Sequence, residues 1–181
     1  MMQFIYIHGY GSNCESRKYI LLEKQLTTYR ASCPEWTPET DFTAWLNQLF
    51  NSVKREQTIV VVGDSTGANF AYQLKEMRNT QGLKTILVLL SPLLSYGHRL
   101  NKKLIFTANL KNSLQDILSP TEALLLIGKQ DETLDLKQVN PYTCENSEII
   151  FIDDSHRLPL FERYLVLIED YVERQRLILA K

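Results

Sequence analysis

The sequence predicts an α/β protein: a three-layer α/β/α sandwich around a mostly parallel sheet of about six strands. Short, continuously apolar runs recur at Phe4–Ile7, Thr58–Val62, Leu83–Leu90, Leu124–Ile127 and Ile149–Ile152, the pattern of strands covered on both faces. Segments with helical spacing lie between them. Regular alternation of the two requires crossover connections, and hence parallel, right-handed βαβ units with helices on both faces.

The helical segments follow the i, i+3, i+4, i+7 rule that gives a helix one apolar stripe. Phe42, Trp45, Leu46, Leu49, Phe50 and Val53 form one such stripe, and Phe161, Tyr164, Leu165, Ile168, Tyr171 and Val172 another. Tyr19, Leu22, Leu26 and Tyr29 mark an earlier helix; Phe70, Leu74 and Met77 mark one after the second strand. A sixth, weak strand is expected within Arg30–Trp36, where Pro34 and Pro38 then stop regular structure. The longest excursion between strands runs from Ser91 to Ser119 and includes a helical stretch through Leu104, Ile105 and Ala108. It is expected to cover the sheet, with a small lid over the crevice as the alternative.

A chain of 181 residues, 44% hydrophobic and 23% charged, is expected to fold as one domain over 1–181. Twenty basic against 21 acidic residues leave a formal net charge of -1, too little to attract phosphate backbones or an anionic membrane surface. Nucleic acid and membrane are therefore not expected partners. Cys14, Cys33 and Cys144 are odd in number, widely spaced and without CxxC spacing, which predicts neither a disulfide framework nor a zinc site and favours a reducing compartment. With no secretory pattern before His8 and no apolar stretch long enough to span a bilayer, a cytoplasmic location is expected.

In parallel sheets the binding crevice lies beyond the carboxyl ends of the strands, so the chemistry is sought there. Gly63-Asp64-Ser65-Thr66-Gly67 follows the apolar run Thr58–Val62 and opens a helix. This is the strand, sharp turn and helix of a nucleophile elbow, whose glycines keep side chains away from an exposed serine hydroxyl. A helix-capping serine or a phosphate-binding loop is the competing reading, but a Walker loop needs a lysine that is absent here. The three-point pattern alone arises by chance in roughly 5 to 10% of chains this long; its place after a buried strand is what gives it weight.

A serine hydroxyl needs a base, and histidine suits that at neutral pH. Of His8, His98 and His156, only His156 has acidic loop candidates at strand ends between itself and Ser65, in the order Ser, acid, His that such folds use. Asp131, in Gly128-Lys129-Gln130-Asp131-Glu132, is the expected orienting acid, with Asp135 and Glu132 as rivals. Backbone N–H groups of Thr66 and of Tyr10, in the loop His8-Gly9-Tyr10-Gly11-Ser12, are the expected oxyanion donors. His8 is read as structural. Tyr10 and Tyr96 are candidates for the pocket lining, although aromatic residues at strand ends more often only pack.

HGYGS, GDSTG, GKQDETLD and DDSH, in this order along the chain, together resemble the α/β-hydrolase superfamily, and within it the compact bacterial esterases of the YqiA-like kind. The resemblance spans nearly the whole chain. It implies a minimal α/β-hydrolase fold, esterase or thioesterase activity on small acyl substrates, no metal and no cofactor, with Ser65, Asp131 and His156 in the triad positions; GKQDETLD favours Asp131 over Asp135. The sequence departs from the pattern at Thr66-Gly67-Ala68, where these esterases often have Leu-Gly-Gly, and at Tyr10-Gly11. Both changes bear on substrate. A non-catalytic binding protein on the same scaffold, and a peptidase or amidase using the same triad, are the alternatives.

Overall fold

The computed structural model describes residues 1–101, 103–136, 139 and 141–180. Six strands, β1 (Gln3–Ile7), β2 (Arg30–Ser32), β3 (Thr58–Asp64), β4 (Lys84–Leu90), β5 (Ala123–Gly128) and β6 (Glu148–Ile152), form one sheet in the order β2-β1-β3-β4-β5-β6. Every pairing is parallel. Five helices accompany them: α1 (Arg17–Gln25), α2 (Phe42–Val53), α3 (Thr66–Asn79), α4 (Ala108–Ser113) and α5 (Leu165–Leu179).

The continuous apolar runs become strands because successive side chains alternate between two covered faces. Ile5, Ile7, Ile59, Val61, Leu87, Leu89 and Leu125 point into a core shared with α2, α3 and α4. Phe4, Tyr6, Val60, Val62, Ile86, Val88 and Leu124 point the other way, against α1 and α5. The edge strands are the most open, and Phe151 on β6 is 43% exposed. The chain first steps from β1 outward to β2, then returns past β1 to β3 and continues outward through β6. This reversal between β1 and β3 is a topological switch point, where a crevice opens at the strands' carboxyl ends.

The segment between β4 and β5 departs from expectation. Leu104 and Ile105 precede the helix, with Ile105 80% exposed; α4 starts only at Ala108, where the Thr107 side chain accepts from Leu110 N–H. Phe106, Leu110 and Ile117 anchor the segment in the α2/α3 core. The last helix likewise opens as a 3-10 turn over Phe161–Tyr164 before α5.

The expectation of no disulfide is overturned: Cys14 and Cys33 are bonded, 19 residues apart, with their Cα atoms 5.6 Å apart. Pairing of β1 with β2 brings together the loops that follow them, which spacing along the chain does not reveal. Cys144 is buried and takes no part in that bond. Among the described residues no helix is long and apolar enough to cross a membrane. Closing a loop of this length stabilises by about 3 kcal/mol. Reductant is expected to lower the unfolding free energy in urea by that amount, with thiol alkylation and mass spectrometry identifying Cys14 and Cys33 as the pair released.

Candidate active site

Ser65 follows β3 directly and caps α3 at φ 51 and ψ -115, a conformation costing a non-glycine residue on the order of 1–3 kcal/mol. Three backbone bonds hold it: Ser65 N–H donates to Leu90 O at 2.9 Å, and Ser65 O accepts from Leu93 N–H at 2.9 Å and Ala68 N–H at 3.1 Å. The flanking glycines answer to space. A Cβ on Gly63 would sit 2.5 Å from Ala68 Cα, and one on Gly67 would collide with the backbone oxygens of Ile7 and His8. The elbow is thereby packed directly against the end of β1.

His156 and Asp131 reach Ser65 from the loops after β6 and β5. His156 Nε2 lies 3.0 Å from Ser65 Oγ, and its Nδ1 2.8 Å from Asp131 Oδ2. An ionised carboxylate only accepts, so Nδ1 donates to it and Nε2 is left to accept from the serine hydroxyl. The other carboxylate oxygen of Asp131 accepts from Thr133 N–H at 2.9 Å and Leu134 N–H at 2.8 Å. Of the rival acids, Glu132 instead accepts from the His156 backbone N–H at 3.2 Å, and the Asp135 backbone N–H donates to His98 O at 2.6 Å.

The histidine loop is fixed by residues the sequence reading did not single out. Buried Asp154 accepts from Ser155 N–H at 2.8 Å and from Leu160 N–H at 3.0 Å, and Leu158, at φ 51, is fully buried against α5. A second omission lies beside Ser65. Asp64 pairs with Lys18 Nζ at 2.6 Å and accepts from Tyr6 Oη at 3.2 Å. Burial, and then the Asp64 charge, push the Tyr6 phenol well above its ordinary pKa, so it remains a donor. Asp64 precedes Ser65 in the elbow motif, so a sequence signal for it existed; Lys18 became visible only once α1 was docked.

The loop after β1 lies against the elbow. Its approach is close: a Cβ on Gly9 would come 3.3 Å from both Ser65 Cβ and Asp64 O. Among the described residues, neither the Tyr10 nor the Thr66 backbone N–H donates a hydrogen bond, and both residues line the same cleft as Ser65 and His156. His8 turns away, its Nδ1 2.9 Å from Gly9 O and its ring stacked on Trp36 at 5.1 Å. Trp36 Nε1 donates to His8 O at 3.0 Å, and the Cys14–Cys33 bond ties the same two loops.

The cleft has a volume of about 590 Å³. Tyr10 forms part of its wall, but Tyr96 does not line it, contrary to expectation. Tyr96 packs on Phe106 at 5.9 Å and under the Arg99 guanidinium at 5.0 Å, and it is these two that face the cleft. Among the described residues no three His, Cys, Asp or Glu side chains are grouped so as to hold a metal ion.

The model of the Uncharacterised protein family (UPF0227) matches residues 3–173. No curated protein matches the chain. Among solved structures, a protein of the alpha/beta hydrolase superfamily from Xanthomonas campestris pv. campestris superposes with a TM-score of 0.68 at 17% identity, covering 97% of this chain and 99% of that one. A meta-cleavage product hydrolase from Pseudomonas fluorescens IP01 gives 0.66 at 12% identity, over 97% and 92%. Human thioesterase 2 gives 0.65 at 13% identity, over 94% of each chain. The fold is that of the α/β hydrolases.

The contact between Gly67 and the end of β1 is open to a direct test. Gly67→Ala is expected to cost roughly 3 kcal/mol or more through forced backbone displacement, read from urea unfolding. Gly97→Ala meets nothing closer than Ser95 Oγ at 3.5 Å and is expected to change stability by less than about 1 kcal/mol.

Proposed function

The chain belongs to the Uncharacterised protein family (UPF0227), and from that premise, with the Ser65–His156–Asp131 chain at its cleft, we propose a serine hydrolase that cleaves carboxylic ester or thioester bonds of small acyl substrates. The observation that carries this reading is the unbroken relay of 3.0 and 2.8 Å contacts from hydroxyl to imidazole to carboxylate. The YqiA-like resemblance of the four motifs, and superposition on proteins described as a hydrolase and a thioesterase, support the same class.

In this mechanism Ser65 Oγ attacks the substrate carbonyl while His156 Nε2 takes its proton. Asp131 stabilises the imidazolium through Nδ1–H and does not itself take the proton. The Tyr10 and Thr66 N–H groups, without acceptors among the described residues, receive the developing oxyanion. His156 then protonates the departing alcohol or thiol, and water, activated by the same ring, releases the acid from the acyl-enzyme. No cofactor enters the cycle, and the partner is a small acyl ester, with neither nucleic acid nor membrane required. The cytoplasmic location also remains part of the proposal, and the disulfide makes it testable: protein trapped from cells with a thiol alkylator should then carry Cys14 and Cys33 reduced.

A fluorophosphonate probe should label Ser65, and labelling that persists in Ser65→Ala would refute the nucleophile. Steady-state hydrolysis of p-nitrophenyl butyrate should fall by about four orders of magnitude in kcat in Asp131→Asn, which favours the wrong tautomer of His156. An effect within tenfold would remove Asp131 from the relay. Parallel trials with peptide and amide substrates separate the esterase from the peptidase and amidase alternatives.

A further inference from the structure

The charges lining the cleft are unlike those of the chain. Arg17, Lys18, Arg99 and Arg157 line it, against Asp64 as the one carboxylate of the lining, in a protein of net charge -1. Two of these cations are already spent: Lys18 on Asp64 at 2.6 Å, and Arg17 on Glu162 at 3.4 Å. For Arg99 and Arg157, no carboxylate among the described residues lies within ion-pair distance.

Arg99 is the more informative. It is only 9% exposed, and its guanidinium is clamped in place, 4.2 Å from the Phe106 ring centroid and 5.0 Å from that of Tyr96. One terminal nitrogen, Nη2, donates to the carbonyls of Asn101 and Leu104. Nε and Nη1 donate to nothing among the described residues, yet neither is a buried unsatisfied atom; they remain accessible. Arg78, a purely structural arginine of the same chain, differs on this point: its Nε, Nη1 and Nη2 all donate, to Thr85, Val53, Glu56 and Lys84. Holding a guanidinium rigid on ring faces while leaving donors open is how a protein prepares to receive a carboxylate or phosphate.

Resting on the serine-hydrolase reading above, we propose that the cleft selects esters whose acyl portion carries a negative charge, with Arg99 as the anion-binding residue and Arg157 assisting. The reacting carbonyl sits at Ser65 and the charged end lies toward Phe106. The shared chemistry is an anionic oxygen group, which a carboxylate and a phosphonate can both supply.

The test compares p-nitrophenyl valerate with two charged counterparts, mono-p-nitrophenyl glutarate and the p-nitrophenyl ester of 4-phosphonobutyrate. Wild-type protein should favour at least one charged ester by roughly tenfold in kcat/KM, chiefly through KM, and the preference should shrink as salt is raised. Whichever charged ester is favoured identifies the anion. The ratio of charged to neutral kcat/KM should fall toward one in Arg99→Gln, and fall partially in Arg157→Gln, a surface change that spares the fold if Arg99→Gln does not. Equal turnover of all three esters by wild type, or an unchanged ratio in both variants, overturns the inference and leaves the hydrolase reading intact. Calorimetric titration of the Ser65→Ala protein with the same esters reads recognition without turnover: tighter binding of a charged ester there, with none cleaved by wild type, would retain the anion site and reject the hydrolase.

Discussion

The left-handed turn at Ser65 is the constraint around which the site is arranged. A serine at φ 51 is tolerated only where the surroundings leave the chain no alternative, and here the end of β4 supplies Leu90 O as acceptor and the loop after it supplies Leu93 N–H as donor. The turn also depends on β1, because Gly67 lies where any side chain would strike the carbonyls of Ile7 and His8. Sheet order explains why these neighbours are available. β1 and β4 flank β3 directly, so the strand leading into Ser65 is gripped from both sides. The reversal of strand progression between β1 and β3 leaves the space above the hydroxyl open.

The partners of Ser65 come from farther away. β6 is three strands from β3, about 14 Å across the sheet at the usual spacing, so a histidine placed at the strand end would fall short. The loop after β6 therefore turns back toward the centre, and its shape is held by the Asp154 carboxylate and by burial of Leu158. Asp131 leaves a nearer strand and can stay close to its end. Two backbone amides in its own turn fix one oxygen, leaving the other to meet the imidazole. Orientation of the ring is thus set by local turn geometry on β5 and by core packing on β6, two independent devices converging on one bond.

Much of this was legible in the sequence because it depends on pattern over short distances. Continuous apolar runs identified all five of the longer strands, and the elbow announced itself by glycines whose steric necessity is local. Boundaries were less clear: β3 continues through Gly63 and Asp64, residues that read as turn because glycine and aspartate are poor strand formers. The Cys14–Cys33 bond was hidden, since an odd cysteine count argues against pairing until β1 and β2 are known to be neighbours. An aromatic ring beyond a strand end marks Tyr96 as a pocket candidate, but the chain folds back over it and presents Arg99 and Phe106 instead. An arginine in a loop has no signature in a single sequence; only its burial among rings distinguishes it from a solvated charge.

This division of labour has a chemical consequence. The Ser65–His156–Asp131 chain and the elbow are built from strand ends and the loops that follow them, positions the sheet itself holds. The wall opposite is built from the long connection between β4 and β5, which is anchored to the core at Leu93, Leu94, Phe106, Leu110 and Ile117 and is otherwise free to vary in what it presents. Asn69 of α3 joins the two parts, donating to Leu93 O at 3.1 Å and Gln115 O at 2.8 Å. The helix that begins just after Ser65 thus also sets the register of the wall. A cation carried on that wall is held at a fixed place relative to the Ser65 hydroxyl, which is the geometry the proposed selection of charged esters requires.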